Sequence, residues 1–334
     1  MILLDATYIN RSGGLALLSY LVKCLFSRKR DDIFYLFDLR CVDIFSKIDT
    51  CNICFIQGTE TERRNFYINN RLKFDKILCF GNVPPPVRMH ATVYTYSHNI
   101  YLFSIPKSYS FSSKIRTLLK RCYINSKKKY TDYWIVQTSN VEHQLHLQLG
   151  QEQQVLVLPF YEIDKSFRHS VDKREGYVYI ANYLKEKNHR LLLQAWIVLA
   201  AKGFYPKLQI TIEDYPEEIE MLLIKAEKVG ANIINHGKVP KSDVYKLYNK
   251  SCAAIYTSCN ESFGLGIVEA LEYGCDVLGP NVDYINSICK PSVTFDLGSI
   301  DSIVHSVIVY ERGGCLKSQL LIRDNINELI NLLI

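Results

Sequence analysis

The chain has 334 residues, more than a single hydrophobic core usually supports, so two domains are expected. Of these, 48% are hydrophobic and 22% charged, the balance of a globular protein and not of a disordered or fibrous one. The net charge of +6 is modest for this length and by itself implies no nucleic acid partner.

Short β-type runs fall at residues 1–4, 33–37, 53–56, 77–80, 92–96, 133–137 and 155–158, with helical stretches between several of them. Residues 159–175 are polar and aperiodic and read as a linker. A second series of runs follows at 177–180, 208–212, 233–234, 253–256, 276–278 and 293–295, separated by helical patterns near 188–201, 217–229, 242–249 and 265–273. An amphipathic stretch at 318–333 closes the chain. The alternation predicts an α/β protein of two Rossmann-like domains, 1–160 and 161–317, with parallel sheets facing across a cleft. Residues 318–334 are expected to form a helix that crosses back to the first domain.

The most informative stretch is residues 256–271, YTSCNESFGLGIVEAL. A strand ends, a Ser, Asn and Gly-rich turn follows, and a helix begins near Gly264. The first amides of a helix lack intrahelical acceptors and carry a fractional positive charge of roughly +0.5, which suits an anion. Gly264 and Gly266 have no Cβ to obstruct phosphate oxygens. Two carboxylates beside an anion site make sense if they bind hydroxyls on the same ligand, Glu269 on a ribose and Glu261 on a sugar. The plainer alternatives are a capping box between Ser258 and Glu261, and an exposed helix face for Glu269.

The run E-S-F-G-L-G-I-V-E resembles the signature of family 4 (group 1) of the retaining glycosyltransferases, which have the GT-B fold. The resemblance implies that Glu261 lies by the donor sugar and Glu269 on the ribose. It also implies that Ser262, Phe263, Gly264, Leu265 and Gly266 contact sugar and phosphate. It extends upstream to residues 177–195, where Lys187 after Glu186 takes the place of the lysine that neutralises the diphosphate. Asn182 stands where many members have an arginine, so a fixed cation must come from elsewhere, Lys185 being one source. Gly237 and Val239 fall in the turn beside the nucleobase. Gly13 and Gly14 match the family's glycine loop, and His98, with Asn99, follows the strand at 92–96. With an ordinary pKa near ~6.5, His98 could take a hydroxyl proton or hydrogen-bond the transferred sugar. The alternatives are a solvated Lys187, a plain strand-to-helix turn at Gly13 and Gly14, and a structural His98.

Lys107, Lys114, Arg116, Lys120, Arg121 and Lys127 to Lys129 crowd one segment, with Ile115, Leu118, Leu119 and Tyr123 at helical spacing. Segment 107–130 reads either as a solvated helix or as a peripheral contact with an anionic membrane. Eleven cysteines without regular spacing suggest reduced thiols and the cytoplasm, at the inner face of the membrane if that contact is made. No apolar run approaches ~20 residues, and a secreted or integral protein is not expected. Cys51 and Cys54 would point to opposite faces of a strand, so zinc is not expected. No D-x-D pair, dinucleotide fingerprint, P-loop or nucleophile elbow occurs.

Together these readings point to a metal-independent retaining transferase with no cofactor beyond its substrate. The resemblance implies a nucleotide sugar as the donor, a saccharide or lipid-linked saccharide as the acceptor, and surface-polysaccharide (O-antigen) biosynthesis as the setting. The expected catalytic residues are Glu261, His98 and Lys187. A catalytically silent module that binds a sugar nucleotide or a partner is the alternative.

Overall fold

A computed structural model describes residues 1–48, 50–106, 109–167 and 173–334. It divides the chain into two units, Met1–Glu162 with Arg323–Ile334, and Ile163–Ile322.

In the first unit, β-type runs, buried on both faces in the central strands, make a parallel sheet. These are β1 (Ile2–Ala6), β2 (Ile33–Asp38), β3 (Ile53–Ile56), β4 (Lys76–Cys79), β5 (Thr92–Tyr96), β6 (Tyr133–Val136) and β7 (Val155–Val157). Their order is β3-β2-β1-β4-β5-β6-β7, every neighbouring pair parallel. On one face the Ser12–Ser27 helix buries Leu17, Leu18, Leu21 and Leu25 in the core. Ile326, Leu329, Ile330 and Leu333 of the last helix join the same cluster.

The last helix is shorter than its sequence pattern suggests and spans Ile326–Leu333. Ser318, read as its start, is instead tied to strand backbone, its Oγ accepting from the amides of Val277 at 2.8 Å and Ser292 at 2.9 Å. The helix is held to the first unit by the Asn325 amide on the Pro159 carbonyl at 2.8 Å and by Tyr20 on Asp324 at 2.6 Å.

The second unit contains β8 (Tyr177–Tyr179), β9 (Leu208–Ile210), β10 (Ile233–Asn235), β11 (Ala253–Ile255), β12 (Asp276–Pro280), β13 (Cys289–Lys290), β14 (Val293–Phe295) and β15 (Gln319–Leu320). Its main sheet is parallel, in the order β10-β9-β8-β11-β12-β14. The pair β13 and β15 is a separate antiparallel ribbon. In each sheet the order reverses beside the first strand, between β1 and β4 and between β8 and β11. Such switch points open crevices at the carboxyl ends of the strands, and there a ligand is to be sought.

Candidate functional site

The loops after β8 and β11 meet at the switch point of the second unit. After β8, residues Lys185–Lys187 form a single helical turn, and Asn188, with φ 55°, redirects the chain into the His189–Ala201 helix. The loop after β11 docks on this turn. The Cys259 amide donates to the Glu186 carbonyl at 2.8 Å, and the Thr257 hydroxyl to the Lys187 carbonyl at 3.1 Å. The backbone is thereby fixed so that the half-buried Lys187 and Glu261 side chains form an ion pair.

This pairing removes the capping-box alternative for Glu261. The Ser258 hydroxyl shares a hydrogen bond with Tyr179 at 2.8 Å, and the helix begins only at Leu265. Its N-cap is Gly264 at φ 68°, a left-handed conformation in which a Cβ would also lie 2.8 Å from Ile288 Cδ1. The Gly264 carbonyl accepts from the Ile267 and Val268 amides, so the Leu265 and Gly266 amides precede the first acceptor of the helix. Ser262 leads into this turn and the Phe263 ring is buried under it.

Gly266 is small for a second reason besides ligand access. A Cβ there would meet the hydroxyls of Tyr248 and Tyr256, each at 3.3 Å. Glu269, one helical turn further on, is only 7% exposed, which corrects the exposed-face alternative. Burial raises its pKa against the lowering effect of Lys241, whose Nζ lies 3.6 Å away. Lys241 was missed in the sequence because its partner lies on a different helix.

Gly237 has φ 63° and its amide is held by Asn235 Oδ1 at 3.0 Å, which fixes the turn that presents Val239. Asn182 and Lys185 are exposed, and neither side chain makes an ion pair or hydrogen bond among the described residues.

At the switch point of the first unit, a concavity of about 920 Å³ is lined by the loops after β1, β4 and β5 and by the Phe111–Lys127 helix. Gly14 and His98 meet here, whereas Gly13 borders open space. A Cβ on Gly14 would sit 3.0 Å from His98 Nε2, but one on Gly13 would meet nothing within 4 Å.

Asn82, which the sequence reading passed over, organises this corner. With φ 65°, its Oδ1 accepts the amides of His98 at 2.7 Å and Asn99 at 3.0 Å. Its Nδ2 must then donate to His98 Nε2, 3.3 Å away, which leaves the ring proton on Nδ1. His98 Nδ1 is buried without a hydrogen-bond partner. Burial lowers the His98 pKa to about 4, so the expectation of an ordinary value is corrected and the ring is neutral near pH 7. The Gly81-Asn82 pair after β4 was the available signal, being a common turn dipeptide.

Behind this corner, Asp5 and Arg63 form an ion pair of 2.8 Å in which both side chains are 2% exposed. Tyr67 donates to the same carboxylate at 2.7 Å, and Arg63 also holds the Pro84 carbonyl at 2.9 Å, fixing the loop after β4.

The Phe111–Lys127 helix confirms the spacing read in the basic segment, and Phe111, Ile115, Leu118 and Leu119 are exposed along it. Lys107 lies outside the described residues. Among the described residues, no helix is long and apolar enough to cross a membrane, and no group of three or more His, Cys, Asp or Glu is placed to hold a metal ion.

Two doubly wound parallel sheets, each with its loops gathered at a switch point, are the GT-B fold, and solved structures of that class match along most of the chain. Anabaena HepE in complex with UDP aligns over 93% of this chain and 89% of its own, with a TM-score of 0.69 and 12% identity. Residues 161–312 match the family described as glycosyl transferases group 1. Among curated relatives, the Xenopus laevis GDP-Man:Man(3)GlcNAc(2)-PP-Dol alpha-1,2-mannosyltransferase is 27% identical over 44% of this chain and 33% of its own length. The Escherichia coli serotype-specific mannosyltransferase WbdA is 32% identical over 29% of this chain and 12% of its own. The chain thus spans a third or less of the length of these relatives.

Proposed function

We propose that the protein is a retaining, metal-independent glycosyltransferase that uses a nucleoside diphosphate sugar. The observation that carries this reading is the Lys187–Glu261 pair set beside the helix start at Gly264, with Glu269 one turn along. Lys187 and the Leu265 and Gly266 amides would stabilise charge on the departing diphosphate, the usual source of the largest rate effect at such sites. Glu261 would orient sugar hydroxyls, Glu269 would hold the ribose, and the turn at Gly237 and Val239 would border the base. Neutral His98 suits a hydrogen bond to substrate better than uptake of a proton. Retention would follow from front-face attack, with the leaving phosphate as base and no covalent enzyme intermediate.

The acceptor is proposed to be a saccharide or lipid-linked saccharide in surface-polysaccharide assembly, a reading that the serotype-specific mannosyltransferase WbdA among the relatives supports. Exposed Phe111, Ile115 and Leu118 with Lys114 on one face of the helix favour contact with an anionic membrane from the cytoplasmic side. Absence of binding to anionic vesicles at low salt would remove that contact.

The transfer reading is tested by release of nucleoside diphosphate across a panel of nucleotide sugars, with titration of the products. Glu269→Ala is expected to weaken nucleoside diphosphate binding by about 1 to 3 kcal/mol. Unchanged affinity would remove Glu269 from the site. Binding without turnover across the panel would favour a silent module, the reading that Asn182 supports.

A further inference from the structure

Glu269, the carboxylate proposed for the ribose, is 7% exposed, a setting that disfavours its charge. Two neighbouring hydroxyls are nevertheless bound best by the anion, which accepts at both oxygens and makes the stronger, charge-assisted bonds. What surrounds the side chain therefore decides whether it can do this work.

Lys241, Tyr245 and Tyr248 face Glu269 from the Lys241–Lys250 helix, and Tyr256 faces it from just beyond β11. Burial raises the pKa of all three tyrosines, so they stay neutral and offset no charge. From β12 comes Asp276, already engaged by Tyr310 at 2.8 Å and Lys317 at 2.7 Å, while β15 carries no titratable residue. On the same helix Glu272 follows at i+3 and has the same sign of charge. Among the described residues Lys241 is the one ion-pair partner of Glu269, its Nζ 3.6 Å from Oε1.

Lys241 is itself placed by packing. It opens its helix, and Tyr245 at i+4 lies beneath it, with the ring centroid 5.5 Å from Nζ. Tyr245 is in turn stacked on Tyr273 at 4.8 Å and packed against Phe167 at 5.3 Å. A fixed aromatic group thus steers the ammonium towards the carboxylate, although the lysine remains exposed.

We infer that Lys241 is a positioning residue of the donor site, holding Glu269 as the anion that grips a pair of hydroxyls without itself touching the ligand. This deepens the transfer reading above and rests on it for the ligand, though not for the pairing.

Calorimetric titration of UDP and of GDP into the wild type, K241Q, K241R and E269Q, from about pH 8.5 down to about pH 6, tests it with ligand. Urea titration of the same proteins and of K241Q/E269Q over the same range, extended to lower pH, tests it without. K241Q should bind more weakly than the wild type, and its deficit should grow as pH falls, by up to about tenfold per pH unit as one proton competes with the ligand. The ratio to the wild type cancels the titration of the phosphate. K241R, which keeps the charge, should follow the wild type, and E269Q should be weak throughout. Without ligand, a carboxyl whose pKa is raised on folding keeps a proton that the unfolded chain has released, so stability falls as pH rises from the unfolded value to the folded one. In K241Q that fall should extend to higher pH than in the wild type, and K241Q/E269Q should lack it.

A deficit in K241Q that is the same at every pH would overturn the inference, because it would put Lys241 on the ligand. So would wild-type affinity in K241Q, or a fall in stability that K241Q leaves where it was. If neither diphosphate binds the wild type, or E269Q binds as tightly, it is the transfer reading that loses its ribose carboxylate, and the urea series still decides whether Lys241 keeps Glu269 ionised.

Discussion

At the switch point of the second unit, cations and carboxylates come in pairs: Lys187 holds Glu261, and Lys241 lies 3.6 Å from Glu269. At that of the first unit, Arg11, Arg116 and Lys120 line a concavity and form no ion pair among the described residues, its one lining carboxylate, Glu60, being held by Tyr8 and Tyr123, while the ion pair of the region, Asp5 with Arg63, is sealed behind it. The same strand order therefore supports two electrostatic designs. Where charges are paired in advance, a diphosphate must displace a carboxylate from its lysine, and binding is an exchange. Where they are unpaired, an anion adds to what is already there.

The comparison breaks most readily at the sealed pair. Asp5→Asn leaves the Arg63 guanidinium buried and uncompensated and is expected to cost about 3 to 5 kcal/mol of folding stability in urea titration. A cost within a few tenths would mean that the loop after β4 does not depend on this pair.

In the response to pH the two units are expected to agree. His189, fully buried behind Lys187, has its pKa lowered to about 4, chiefly by burial and secondarily by Lys187. The unfolded chain takes up a proton near pH ~6.5 that the folded chain refuses, so stability falls as pH drops from 6.5 towards 4 and levels below. The loss should be on the order of 3 kcal/mol for this residue, and His189→Gln should flatten the slope across that window. His98 is expected to act in the same direction in the first unit.

The smallest effect on stability, and a sharper one on function, is expected at the paired glycines. Gly14→Ala pushes a methyl to 3.0 Å from His98 Nε2, while Gly13→Ala meets open space. In a helix the exchange of Gly for Ala is worth about 0.5 to 1 kcal/mol in favour of Ala, so both variants should fold. Gly14→Ala alone should lower transfer or acceptor affinity, and equal behaviour of the two would separate His98 from the site.

Much of this architecture was legible in the sequence, because strands buried on both faces read as continuous apolar runs. All thirteen strands of the two parallel sheets coincide with such runs to within a few residues. The ribbon of β13 and β15 escaped because two residues per strand give no period to read. The final helix was overextended because the hydroxyl of Ser318 serves strand backbone and not a helix start.

At the candidate site, Glu261 and Glu269 could be named from a local run of residues whose chemistry is self-consistent, and Lys187 from an upstream run by its family resemblance. Asn82, Lys241 and Glu60 could not, since each acts through a partner brought near by the fold. The lowered pKa of His98 is likewise a property of its burial and not of its neighbours in sequence.

In the proposed reaction Lys187 would exchange Glu261 for a diphosphate. Calorimetric titration of nucleoside diphosphates into the wild type, K187Q and E261Q addresses this directly. K187Q should weaken binding by about 1.5 to 3 kcal/mol through loss of a charge-assisted hydrogen bond, and E261Q, which frees the lysine, should bind at least as tightly as the wild type. Unchanged affinity in K187Q, or a loss in E261Q as large as that expected for K187Q, would contradict it.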